Sequence, residues 1–421
     1  MQRVLLFVLS LFALYASALA QTLVLPAEKS AQPAVKSEQP ALSTAEIKSL
    51  ESATAEKKPA RHIALLLPVK STTFGASADA VRQGIIAAAT LEKQALPIRV
   101  YDNFDEDKNV VATYQQAIAN GAVAVIGPLT RNGTLALTAL KNFPVPTLSL
   151  NVVENTPEQN LYFFGMAIEM EARQIAHLAK EKGLKQAIVV SSRAPLSKRL
   201  QAAFEDAWSK AGGEVLREIE YNDDPAIFAD IADTPNTFVF LATDADKARL
   251  IRPYLLVKQK PDNTIVQPKS AEEDKTVSTP IPPAPISKQL PIYATSRVFV
   301  GNNDTLTNFD LSDIRFVDMP WLLQADHPAV MTYSRATPPL TIDNERLYAL
   351  GIDAFRLTQL LLADNVTDAL PLDGVSGQIQ LRGHTFQRSA TPAIFVQGHA
   401  QLNDTPVVRR TDFPDVPLSK P

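Results

Sequence analysis

Apolar positions along the chain follow two alternating patterns. Some form short near-continuous runs, and others recur every third or fourth residue over longer stretches. The run Ile63-Ala64-Leu65-Leu66-Leu67, opened by His62, reads as a strand buried on both faces, as parallel strands are. Gly75 to Gln94 carries Val81, Ile85, Ala88 and Leu91 at helical spacing. Pro97 to Tyr101 then predicts a strand, and Asn109 to Asn120 a helix stopped by Gly121. Ala122 to Ile126 follows as a strand, Asn132 to Lys141 as a helix and Val145 to Leu150 as a strand. Strands and helices alternating in this way over about ninety residues predict an open parallel sheet with helices on both faces.

The pattern then repeats. Glu169 to Lys182, Leu196 to Ala211 and Ala245 to Val257 read as helices. Between and after them, Ala187 to Ser191, Val215 to Tyr221, Thr237 to Ala242 and Pro291 to Thr295 read as strands. The expectation is an α/β protein of two Rossmann-like lobes, each built on a parallel sheet. Three later pieces must be shared between the lobes: a strand at Ile314 to Asp318, a helix at Asn344 to Leu362, and a hairpin pairing Gln378–Arg382 with Ala393–Val396.

Three stretches stand outside this alternation. Residues 1–20 have a positive start at Arg3, an apolar run from Val4 to Leu19 and Ala18-Leu19-Ala20 before Gln21, the layout of a cleaved signal peptide. That run is shorter than the roughly 20 residues a spanning helix needs. No later stretch is apolar enough to span, so the mature chain is expected to be exported and to carry no membrane span. Residues 21–60 contain no aromatic side chain and read as a disordered tether, because they offer too little apolar surface to offset ordering entropy. Residues 258–289, with six prolines among charges, read as a disordered insertion.

Charge and cysteine content narrow the chemistry. Lys and Arg total 41 against 45 Asp and Glu, a net charge of −4 that gives no general attraction to nucleic acid. With no cysteine, disulfides, thiol nucleophiles, thiolate zinc sites and cysteine lipidation are all excluded. The five histidines are scattered without ligand spacing, and no phosphate-binding glycine motif occurs. The nearest approach to a hydrolase elbow, Gly75-Ala76-Ser77-Ala78-Asp79, ends on the wrong residue and follows no strand directly. Catalysis, a metal and a cofactor therefore have no motif to rest on.

In open α/β sheets the ligand crevice lies at the carboxyl ends of the strands. Here those ends present Thr72 and Thr73, then Gly127 and Leu129, then Ser149 and Asn151 in the first lobe. In the second lobe they present Arg193, Thr243, Thr295, Ser296 and Arg297. Hydroxyls, amides and helix-start N–H groups suit a small polar or anionic ligand, though the same residues also cap helices. Either arginine could clamp a carboxylate in two-point fashion or form a structural ion pair. Trp321, after Pro320, is expected to be partly buried at the cleft mouth, with plain core packing as the other reading.

Several blocks carry a family resemblance. Ile63–Pro68, Ala124–Leu129 and Pro146–Asn151 resemble the type I periplasmic-binding-protein fold. Tyr293–Arg297, Asp318–Leu323 and Arg346–Ala354 closely resemble the carboxyl-terminal domain of the LpoA family, penicillin-binding-protein activators of the bacterial envelope. The resemblance implies two lobes joined by three crossovers. It allots 61–163 plus 317–369 to lobe one and 164–316 plus 370–402 to lobe two, leaving 403–421 as a tail. By the same resemblance, the chain is expected to be a non-catalytic periplasmic regulator of peptidoglycan synthesis. Its partner would be a class A penicillin-binding protein, with a peptidoglycan fragment or other small polar ligand in the cleft. The alternative is the solute-binding component of an amino-acid or amide ABC transporter. Two departures from the family's full-length members stand out: the tether occupies the place of their helical repeat domain, and no cysteine is present for a lipid. Gly127-Pro128-Leu129 also stands where amino-acid binders of this fold keep a hydroxyl-rich turn.

Overall fold

Every side chain of β1 (His62–Leu67) is buried, because helices cover both of its faces. In the computed structural model, which describes residues 59–102, 105–153, 158–231, 234–255, 290–301 and 305–403, β1 belongs to an eight-stranded sheet. The expected signal peptide and insertion lie outside the described residues, as do residues 21–58 of the expected tether and 404–421 of the tail. No helix among the described residues is long and apolar enough to cross a membrane.

Around β1, the strands β2 (Ile98–Asp102), β3 (Ala122–Ile126), β4 (Thr147–Ser149) and β5 (Leu161–Phe164) run parallel in the spatial order 2-1-3-4-5. Helices α1 (Gly75–Ala89), α2 (Glu106–Ala119) and α3 (Arg131–Leu137) connect them. Strand side chains alternate between faces, and β1 shows this directly. Ile63, Leu65 and Leu67 meet Val81 and Ile85 of α1, while Ala64 and Leu66 meet Val110 and Tyr114 of α2.

The second lobe repeats the plan. Here β6 (Gln186–Ser191), β7 (Glu214–Glu220), β8 (Thr237–Leu241), β9 (Ile292–Ala294) and β10 (Ile314–Asp318) take the order 7-6-8-9-10. Its helices are α4 (Ile168–Glu181), α5 (Pro195–Lys210), α6 (Ala245–Ile251) and α7 (Thr305–Phe309). Ala187 and Val189 pack toward α4 and α5, where Phe204 and Trp208 stack among Phe238 and Phe240.

The chain then returns to the first lobe through α8 (Pro320–Leu323), α9 (Pro328–Met331), α10 (Ile342–Leu362) and α11 (Val366–Ala369). Strands β11 (Leu372–Asp373), β12 (Gln378–Arg382) and β13 (Thr385–Ser389) extend the first sheet beyond β5. Finally β14 (Thr391–Val396) and β15 (His399–Leu402) extend the second sheet beyond β10. Three crossovers therefore join the lobes, after β5, after β10 and at Ala390 between β13 and β14.

This corrects two expectations. Gln378–Arg382 pairs with Thr385–Ser389, not with Ala393–Val396, and the third crossover falls at Ala390, so 372–389 belong to the first sheet. The reason is the register of β13 beside β5, which sets Phe386 against Phe164 and completes the first core. Strand β5 itself carried no separate expectation.

Helices α1 and α10 cross at Gly84 and Gly351. A Cβ on Gly84 would lie 2.0 Å from the Tyr348 carbonyl oxygen, and one on Gly351 would lie 2.2 Å from that of Val81. Glycine at both positions is what lets the two backbones touch.

Candidate functional site

Both lobes reverse their strand order at one point, between β1 and β3 in the first and between β6 and β8 in the second, and ligands of such sheets bind outside the carboxyl ends there. In the first lobe that rim is tied to itself. Gly127, at φ +112°, turns the chain so closely that a Cβ would meet the Leu66 carbonyl oxygen at 2.2 Å, and its N–H donates to Leu148 O at 2.9 Å. Asn151 Nδ2 donates to the Leu129 carbonyl at 3.1 Å, and Leu150 N donates to Pro128 O at 2.9 Å. Ser149, fully buried, shares a hydrogen bond with Thr134 Oγ1 at 2.8 Å. Gly127, Leu129, Ser149 and Asn151 thus build the turns. Only Thr72 and Thr73, of the expected set in this lobe, stand exposed at the lip.

The second lobe divides its expected residues differently. Arg193 projects into solvent and pairs with Glu220 at 3.1 Å, which is its structural role. Thr243 and Thr295 are buried at strand ends, and neither hydroxyl has a hydrogen-bond partner among the described residues. Ser296 donates its N–H to Glu171 Oε2 at 2.9 Å and gives its carbonyl to Arg346 Nη2 at 3.1 Å. Arg297 reaches across to Asp343 of α10 at 3.6 Å.

Trp321 is not at a cleft mouth. Its side chain is wholly buried, its indole N–H donates to Glu345 Oε2 at 2.6 Å, and the Arg335 guanidinium lies 3.8 Å from its ring centroid. It sits in the first core beside Tyr348, so the core-packing reading is the correct one.

What the structure assembles instead is a chain of buried charges at the crossovers. Arg346, on α10, grips Asp318 at the end of β10 through Nε at 3.1 Å and Nη2 at 2.7 Å. Glu171, in the first turn of α4, holds Arg388 of β13 at 2.9 Å. Ser296 bridges the two pairs through its peptide groups. Gln174 of α4 clasps the third crossover with both ends of its amide, donating to Ala390 O at 2.7 Å and accepting from Ala390 N at 3.0 Å. Arg388 also approaches Ser376 O at 3.4 Å, and Ser376 donates through N and Oγ to Asp353 at 2.7 and 2.6 Å.

Burial alone would weaken the charge on Arg346, but Asp318 overrides it and holds the guanidinium pKa above its ordinary value. Burial pushes the Asp353 carboxyl above the usual aspartate range, against the pull of Arg356 and the donors from Ser376 and Val375. Glu171, Gln174 and Arg388 were absent from the expected set. Asp318 and Arg346 lay inside the motif blocks, where a charge set among apolar residues was the available signal.

The family described as "LppC putative lipoprotein" matches residues 33–391. The chain belongs to that family. Among curated relatives of this LppC-family chain, the penicillin-binding protein activator LpoA of Dickeya chrysanthemi is 27% identical over 291 residues, 62% of this chain and 40% of the relative. The LpoA of Photobacterium profundum is 25% identical over 357 residues, 79% of this chain and 56% of the relative. The chain spans about half the length of the curated relatives it matches. A solved protein of Chromobacterium violaceum, described as a "putative branched-chain amino acid ABC transporter", is 33% identical with a TM-score of 0.63, covering 80% of this chain and 100% of that one. The LpoA C-domain of Haemophilus influenzae, described as a regulator of PBP1A, shares the fold with a TM-score of 0.62 at 20% identity, over 82% of this chain and 100% of that domain. The fold is that of type I periplasmic binding proteins, and the resemblance read from the motif blocks holds.

Proposed function

We propose that this LppC-family chain is a non-catalytic periplasmic regulator of peptidoglycan synthesis that binds and activates a class A penicillin-binding protein. The observation that carries the reading is the family match over residues 33–391 together with relatives named as activators. The crevice chemistry supports it. Gly127, Ser149 and Asn151 bond within the protein, so the first-lobe rim directs few of its groups at a solute. The signal-like start of the chain accords with the periplasm.

The experiment is a synthesis assay in which a purified class A penicillin-binding protein polymerises and cross-links lipid-linked precursor with and without this chain. Faster cross-linking and co-elution of the two proteins are expected. No change in rate and no association would overturn the proposal.

A second reading, the solute-binding component of an amino-acid or amide transporter, is favoured by the 33% identity to the Chromobacterium violaceum protein along its whole length. Calorimetric titration with branched-chain and polar amino acids and with peptidoglycan fragments separates the two. Heat from an amino acid without any effect on synthesis supports the transporter reading.

A further inference from the structure

One segment links the lobes without being a crossover. The strap Thr295–Gly301 follows β9 in the second lobe and lies against the first turn of α10, which belongs to the first core. Arg346 Nη2 donates to Ser296 O at 3.1 Å and to Phe299 O at 2.8 Å, while also holding Asp318. Asp343 joins the same contact from α10, accepting from Arg346 Nη1 at 2.7 Å and facing Arg297 at 3.6 Å. Ile342, the first residue of α10, packs so near Gly301 that a Cβ there would come within 3.0 Å of Ile342 Cδ1. Glu171 anchors the strap from behind through the Ser296 N–H.

We infer that this strap is an interlobe catch, which fixes the angle between the lobes and makes them move as one body. A hinge made only of crossovers can bend through small backbone rotations that leave its own contacts nearly intact. The strap is different, since β9 lies one strand away from the β10 crossover and its contacts end on a helix of the other lobe. Any change in lobe angle shears them. The contacts at risk are the two strap carbonyls on the buried Arg346 guanidinium, and pulling them away leaves its N–H groups short of acceptors where water does not reach. Arg346 suits the task because its planar fork meets Asp318 and two strap carbonyls at once, which an ammonium cannot do. The inference concerns the motion of the lobes and holds whether the partner is a protein or a solute.

The chain has no cysteine, so a pair of introduced ones can carry spin labels at known places. Gln115→Cys on α2 and Ser209→Cys on α5 are exposed positions, one in each lobe. Pulsed dipolar spectroscopy on the otherwise unaltered full chain is expected to give one narrow distance peak. Two variants release the catch in the labelled background. Arg346→Lys keeps the charge but loses the fork, and the double variant Asp318→Asn with Arg346→Met leaves no unpaired buried charge. Each is expected to at least double the peak width or to move the peak, with unchanged helix content by circular dichroism. A broad distribution in the parent chain overturns the inference. So does an unchanged peak in whichever of the two variants folds.

Discussion

The two lobes repeat one strand order, 2-1-3-4-5 in the first and 7-6-8-9-10 in the second, but they finish their crevice rims differently. In the first, hydrogen bonds within the rim close the turns after β3 and β4 on each other. In the second, the segment after β9 turns outward to grip a helix of its neighbour, and Thr243 and Thr295 keep hydroxyls unpartnered among the described residues. Shared topology therefore fixes where a rim lies, while the side chains at the strand ends decide whether it braces itself, meets a ligand or joins the other lobe.

Each lobe holds one of the chain's two tryptophans, and both are buried. Trp321→Ala in the first core and Trp208→Ala in the second are each expected to lower stability by about 3–5 kcal/mol, measured by urea unfolding. Equal losses with a single transition in both variants would show that the lobes unfold together. Two separate transitions would break the comparison by making them independent. Arg346→Ala strips Asp318 of its partner in a buried site and is also expected to cost about 3–5 kcal/mol.

Smaller effects test the rims. Ser149→Ala removes its hydrogen bond to the buried Thr134 hydroxyl, which still donates to Thr130 O, and is expected to cost about 0.5–1.5 kcal/mol, while the proposed association with a penicillin-binding protein stays intact. Reduced association at full stability would instead make the first rim a contact surface. Arg193→Ala, by contrast, removes an exposed pair and is expected to shift stability by no more than about 1 kcal/mol, less at high salt.

The smallest effect is a slope with pH. Burial on α4 holds the His177 ring pKa below its ordinary value. The unfolded chain therefore takes up that proton first as pH falls. The contribution of His177 is complete above the unfolded value of about 6.5 and fades as pH drops through the lower folded one. His177→Gln is expected to flatten the stability curve across that window. A curve identical to the parent's would show that the ring titrates as it does in water.

Much of the fold was legible in the sequence because parallel strands buried on two faces leave near-continuous apolar runs. Strands β1, β3 and β10 fall on the expected residues for that reason. Helices α4 and α5 deviate by one residue at their ends. The half-exposed pieces were harder to place. Strands β12 and β15 bury one side chain and none, so they leave little apolar pattern to place them or to show which partner each takes. Ser149 and Asn151 were picked out as hydroxyl and amide at a strand end, and there they bond within the rim, to Thr134 and to the Leu129 carbonyl. The pairing of Glu171 with Arg388 joins residues 217 positions apart, which no local pattern could reveal.

Three crossovers have one more consequence, for the order in which the molecule can be made. Neither lobe is a continuous length of chain. Helix α10 enters the first core only after the five parallel strands of the second have been delivered, and β14 and β15, which extend the second sheet beyond β10, come last of all. His384, which donates through Nδ1 to Leu161 O, waits for a partner 223 residues earlier. Contacts of such sequence separation slow folding, since loop entropy is lost before they form. A chain delivered from its amino end would therefore hold two unfinished sheets until almost all of it had emerged, and would complete both lobes together in a late step.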